Sequence, residues 1–177
     1  MRKSFIIVPL VAGAVGVLGI AGTASAATTA TTTLTFTEAA GAISITAPTS
    51  ATLLPPLVHT GVDQTVSAAI GDVTVTDHQG NTTGWTASAS ATDFSDGAGH
   101  TIAISNASYT PTTATVTGTA TVTPTTLPAL SSTPTAVQTA SAVAGDNTAT
   151  WNPTISLTVP AAAVPGTYTS TLTQSVI

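Results

Sequence analysis

The chain contains no cysteine, and only two of its 177 residues are Lys or Arg. The first absence removes disulfides and thiolate metal sites, so any fold must stand on its core and its backbone ladders. The second bears on partners. Both cations, Arg2 and Lys3, sit in the first three residues, and the three histidines are the only other side chains able to become cationic near neutrality. Neutralising a row of phosphates takes clustered Lys and Arg, so nucleic acid and anionic lipid headgroups are poor partners. Aromatics make up 4% and charged residues 5%, which leaves a core of Val, Ile, Leu and Ala surrounded by threonine methyl groups. Abundant Thr, Ser and Pro also occur in disordered chains, but a mean hydropathy of +0.43 with so little charge argues for a folded one.

Arg2 and Lys3 open a basic stretch, an apolar run follows from Phe5 to Ile20, and Ala24-Ser25-Ala26 supplies a small-residue site. This is the pattern of a secretory signal peptide, residues 1–26, cleaved after Ala26. Cleavage removes every Lys and Arg. The side-chain charge then moves from −5 to −7, carried by Glu38, Asp63, Asp72, Asp77, Asp93, Asp96 and Asp146. Residues 27–33 form a Thr/Ala-rich leader without apolar periodicity, and residues 34–177 make up one domain. That is length enough to bury roughly two-thirds of the surface of the unfolded chain. The expected location is extracellular, with no membrane span in the mature form. The C-terminal stretch carries no sorting motif, so surface retention is expected to be non-covalent.

From Leu34 onward, alternation recurs in pieces of strand length. The expected strands are Thr33–Thr37, Ile43–Ala47, Thr65–Ala69, Val73–Asp77, Trp85–Ser90, Thr101–Ser105, Ala114–Thr123, Thr135–Ser141, Thr150–Val159 and Thr167–Val176. Threonine and valine dominate them because β-branched side chains suit a pleated, half-buried surface and lose rotamer freedom in a helix. Turn formers separate them, among them Ser95-Asp96-Gly97, Gly145-Asp146-Asn147 and Pro165-Gly166. The turn residues His78-Gln79-Gly80-Asn81 between Val73–Asp77 and Trp85–Ser90 predict a hairpin. Many short strands at such spacing predict an all-β fold, a single Greek-key-like β-sandwich.

Two segments carry a resemblance. VTVTDHQGNTTGWTASASATDF, Val73–Phe94, and TATWNPTISLTVPAAAVPGTYTSTLTQSVI, Thr148–Ile177, each set a tryptophan in a Thr-rich strand pattern behind a signal peptide. Together they resemble the WxL surface cell-wall-binding domain of Gram-positive bacteria. Where that family writes Trp-x-Leu, this chain has Trp85-Thr86-Ala87 and Gln174-Ser175-Val176. The resemblance implies non-covalent association with the cell wall, with peptidoglycan or another wall glycan as ligand and other surface proteins as further partners. It implies Trp85, Trp151 and Tyr168 as ligand-binding residues, acting by stacking together with neutral hydrogen bonds. On the residues alone, the tryptophans also read as core aromatics. Strict alternation with Ala87 and Ala89 favours the core for Trp85, whereas Trp151 beside Asn152-Pro153 fits either reading. A structural or assembly subunit without a glycan site is the alternative from another class.

Asp93 and Asp96, in TDFSDGAGH, have the oxygen density of an irregular Ca²⁺ loop, with Asp72 and Asp77 as possible neighbours. Asp-Gly is equally a turn signal, and the turn is the preferred reading, so no metal and no cofactor is assigned. His78 and His100 each lie near an aspartate, but no paired-His spacing accompanies them. No nucleophile elbow is present either, and the chain reads as non-enzymatic. Asn81-Thr82-Thr83 and Asn106-Ala107-Ser108 match the N-glycosylation pattern, which indicates loop placement.

Overall fold

A computed structural model describes residues 31–177. The expected signal peptide and the first residues of the leader lie outside them. Residues 31–37 carry no regular structure, and every described strand belongs to the compact unit Glu38–Ile177. In chain order the strands are β1 Ile43–Thr46, β2 Gln64–Ala69, β3 Val73–Asp77, β4 Thr86–Ala91, β5 Phe94–Ser95, β6 Thr101–Ile102, β7 Ala107–Thr110, β8 Thr115–Gly118, β9 Thr121–Pro124, β10 Thr135–Ser141, β11 Asn147–Trp151, β12 Thr154–Val159 and β13 Leu172–Val176. A 3₁₀ turn, Ile104–Asn106, precedes β7.

The strands form antiparallel sheets ordered β1-β3-β11-β8, β13-β4-β10-β9 and β2-β12-β7, with a small β5-β6 ladder. The fold is therefore all-β and sandwich-like, as the alternation predicts. Among the described strands, only β5 with β6 and β9 with β10 pair with their successor in sequence. Every other ladder joins distant segments, the connectivity of a Greek-key-like sandwich. Val73, Val75, Ala149 and Trp151 point inward from the first sheet, Ala87, Ala89 and Val137 from the second, and Tyr109, Ile155 and Leu157 from the third. In β10 the ladder to β4 shifts between Ala136 and Gln138. This bulge turns both Val137 and Gln138 inward, although they are adjacent in sequence.

The expected hairpin does not form. β3 pairs with β1 and β11, while β4 pairs with β10 and β13, so the intervening residues cross from one sheet to the facing one. Alternation demands only that one face of each strand be buried, and two facing sheets meet that demand as well as one hairpin does. The crossing is tight. A Cβ at Gly84 would overlap the Ala140 carbonyl, and the Ala140 N–H donates to the Trp85 carbonyl at 2.8 Å.

Other expected strands are shorter or divided. Ala114–Thr123 becomes β8 and β9 in different sheets, because Gly118 adopts a left-handed φ of 88° where the backbone passes close to Asp146. Thr150–Val159 breaks at Asn152-Pro153, where Pro153 has no N–H to continue the ladder. Thr101–Ser105 stops after Ile102 and enters the 3₁₀ turn, whose Ile104 N–H is held by Asp93 Oδ1 at 2.8 Å. Thr167–Val176 is paired as a strand only from Leu172. Thr33–Thr37 forms no strand, since it finds no partner to complete a ladder. β7 was not expected. It carries Tyr109, which is fully buried, and its Ala-Ser-Tyr-Thr alternation was the available signal.

Three sheets meet at one polar chain. Trp151 Nε1 donates to the Tyr109 hydroxyl at 3.0 Å, and that hydroxyl donates to Gln174 Oε1 at 2.9 Å. Burial pushes the Tyr109 phenol from 10.0 up to about 12. A raised phenol pKa means that folding favours the protonated form, so its contribution is complete below pH 10 and is lost as pH rises toward about 12. The chain has two tyrosines, so a Tyr168→Phe variant leaves Tyr109 alone. Its phenolate absorbance should rise only near pH 12, together with loss of the near-ultraviolet circular dichroism of the core.

Candidate functional site

The two tryptophans proposed as a stacking platform are core residues, each 2% exposed. Trp85 Nε1 donates to Asn147 Oδ1 at 3.1 Å, and Asn147 Nδ2 donates to the buried carboxylate of Asp77 at 3.0 Å. Asp77 also accepts the Gln79 N–H at 3.0 Å. Trp151 is bound to Tyr109 as described. Neither indole offers a face to a ligand. Trp151 is an inward member of β11, Trp85 stands just before β4 in phase with its inward Ala87 and Ala89, and burying an indole with its N–H bonded is worth more than exposing it.

Tyr168 stands elsewhere. It is half-buried in the segment before β13, and its hydroxyl donates to the Val164 carbonyl at 2.9 Å across its own loop. The ring lines a groove of about 680 Å³. One wall is the Leu54–Leu57 segment, fastened to β2 by reciprocal Leu54 and Ser67 backbone bonds of 3.2 and 3.0 Å. The other is Val164–Tyr168, fastened where Thr169 and Ser95 exchange backbone bonds of 2.9 Å. Val66 and Leu157 provide an apolar floor, Phe94 a second aromatic, and Gln64 and His59 polar groups at the side. None of the seven acids lines this groove. A smaller cavity of about 400 Å³ opens between the Thr46–Ala51 region and the start of β13.

The aspartates weighed as calcium ligands, and preferred as turn residues, are occupied by turn geometry. Asp93 caps the 3₁₀ turn. Asp96 accepts the N–H groups of Ala98 at 2.8 Å and His100 at 3.1 Å, and its other oxygen meets His100 Nδ1 at 2.6 Å. The His100 hydrogen bond, reinforced by the two backbone donors, lowers the Asp96 pKa from 3.8 against a smaller opposing effect of burial. Asp72 accepts only a long 3.4 Å bond from Asn152 Nδ2, while Asp77 faces the core. His78 Nδ1 lies 3.0 Å from Asp146 Oδ2 on the exposed side of the β3 and β11 ends. Among the described residues, no three His, Asp or Glu side chains gather to hold a metal ion. No described helix is long and apolar enough to cross a membrane.

Gln174, which stands where the resemblance would place a terminal tryptophan, is thus a structural acceptor for Tyr109. The Tyr168 groove could not be read from the sequence as a groove, because its walls are more than a hundred residues apart. Its local signal was the Val164-Pro165-Gly166 turn leading to an aromatic. No family model, no curated protein and no solved structure matches this chain.

Proposed function

We propose that this is an exported, non-enzymatic surface protein that associates non-covalently with the cell wall, with a wall glycan, peptidoglycan in the first instance, held in the Tyr168 groove. The observation carrying this reading is that Tyr168 alone of the three candidate aromatics is presented to a groove. The WxL resemblance supports the same ligand class. A concave apolar floor with a few polar groups at its side suits a saccharide ring, whose C–H face packs on an aromatic while its hydroxyls bond to amides. Electrostatics favour a neutral contact. A mature surface of charge −7 is repelled by anionic wall polymers, whereas the groove itself contains no carboxylate.

Sedimentation with isolated peptidoglycan, with and without teichoic acid, in calcium or in excess EDTA, tests the reading. Binding should survive EDTA. Tyr168→Ala should weaken it about tenfold, the equivalent of one aromatic contact of about 1.4 kcal/mol, without changing the melting temperature appreciably. Equal binding by Tyr168→Ala would remove the groove from the account. Failure to bind any wall preparation would favour the structural-subunit reading. One observation supports that second reading: the outer strands β1, β8, β9 and β13 carry no charged residue to discourage edge pairing.

A further inference from the structure

The sheet β1-β3-β11-β8 pairs in continuous register without a bulge. Its inward positions are Ile45, Val75, Ala149 and Val116, with Val73 and Trp151 beyond them. The outward positions are different in kind. The register aligns Ser44, Thr76, Thr148 and Thr117 in one row across the four strands, and Thr46, Thr74, Thr150 and Thr115 in the next. Every one bears a hydroxyl, and all but Ser44 also bear a methyl. All are exposed or half-exposed. No ionisable side chain interrupts either row.

Sheet geometry sets the spacing. Neighbours within a row lie about 4.8 Å apart, and the two rows about 6.8 Å apart, two residues along each strand. Oxygen atoms on the prism faces of hexagonal ice repeat at distances of the same order, shorter along one direction than along the other. β-branched side chains are restricted at χ1, so the threonine hydroxyls in these rows have less rotamer entropy to lose on binding than longer polar side chains. Thr74 and Thr150 hydroxyls bond each other at 2.9 Å, and Thr46 Oγ1 reaches the Thr74 carbonyl at 3.5 Å. A hydroxyl has one donor and two acceptor positions, which leaves these three able to accept from ordered water.

We propose that this face binds the surface of an ice crystal. A lattice of water is uncharged, and so are both rows, which end at the exposed His78 and Asp146 pair beyond Thr76 and Thr148. Solubility is ordinarily secured by interspersed Lys, Arg, Glu and Asp, yet none occurs at these positions. The other sheets serve as internal comparisons. The outward face of β13-β4-β10-β9 also carries Ser and Thr, but the bulge between Ala136 and Gln138 breaks its rows. In β2-β12-β7, Ala69 stands opposite Thr154, and the Leu54 segment bridges to Ser67 at the sheet edge. Among the described residues, only the first sheet holds two unbroken hydroxyl rows over four strands. Unlike the Tyr168 groove, the rows include no aromatic for sugar stacking.

The test is thermal hysteresis and ice-recrystallisation inhibition by the purified protein, with crystal shape recorded. The wild-type protein should shape ice crystals and arrest their growth. Thr148→Tyr, which places a ring in the middle of a row, should abolish both effects, and Thr117→Tyr on the outer strand should do so if the central substitution disturbs folding. Thr139→Tyr, on the outward face of the bulged sheet, should retain full activity. Circular dichroism and melting curves establish that each variant is folded. Absence of any effect on ice by the wild-type protein would overturn the proposal, as would equal activity of folded Thr148→Tyr and Thr117→Tyr variants. Loss of peptidoglycan sedimentation in these variants, with no ice activity in the wild type, would assign the face to the wall instead. Tyr168→Ala should leave ice activity intact, so this proposal and the groove reading fail independently.

Discussion

Trp151→Ala should unfold the protein rather than silence a binding face. Removing a buried Trp costs about 3–5 kcal/mol through lost transfer energy and the cavity left behind, a large share of the roughly 5–15 kcal/mol that holds an ordinary domain together. The substitution also removes the indole donor from the Tyr109 hydroxyl, in a chain with only two tryptophans and no disulfide. Urea unfolding followed by circular dichroism would measure the loss, with peptidoglycan sedimentation run on the fraction that remains folded. A Trp151→Ala protein as stable as the wild type, yet unable to sediment with the wall, would restore the stacking platform and overturn the core assignment.

The second large effect belongs to Asn147. Its side chain serves two buried groups at once, accepting from Trp85 Nε1 and donating to Asp77 Oδ2. Asn147→Ala leaves an indole donor and a carboxylate oxygen without that partner. Each such group costs about 1–3 kcal/mol when buried, and more where it is charged. The two losses fall on β3, β11 and the Trp85 turn together, so unfolding should remain a single transition at a lower urea midpoint. Asn147→Asp should be worse than Asn147→Ala at neutral pH, because it puts a second carboxylate against Asp77 and none of the described residues is a Lys or Arg. A midpoint unchanged in either variant would show that the network contributes no net stability.

These two residues also mark how much of the molecule was legible in advance. Val73–Asp77 appears with the expected limits, because apolar and hydroxyl residues alternate cleanly there and a strand has a period of two; Thr135–Ser141 also keeps its expected limits, although a bulge interrupts its alternation. The same rule marked Ala87 and Ala89 as inward and so favoured the core for Trp85. It could not choose between facing-sheet and hairpin placement for β3 and β4, because both bury the same side chains. Asn147 carried no sequence signal at all. An asparagine in Gly-Asp-Asn reads as a turn residue, and its burial became visible only once β11 was seen to begin there. The Asp93 and Asp96 segment was legible as a turn, and the structure supplies the reason, since their oxygens are committed to Ile104, Ala98 and His100.

Composition and alternation by themselves determined that this chain is all-β, that its core is aliphatic with few aromatics, and that it has only two Lys or Arg side chains to offer a polyanion. Those conclusions follow from local periodicity and from charge, which do not depend on which strand lies beside which. Strand partnership, the burial of Trp151, the groove at Tyr168 and the alignment of threonines into rows were decided by tertiary structure alone. Each depends on register between segments far apart in the chain, and register is set by how the buried faces pack across sheets. A single-residue slip of β11 against β3 would leave the composition and the alternation unchanged, yet it would turn Trp151 outward and break the rows.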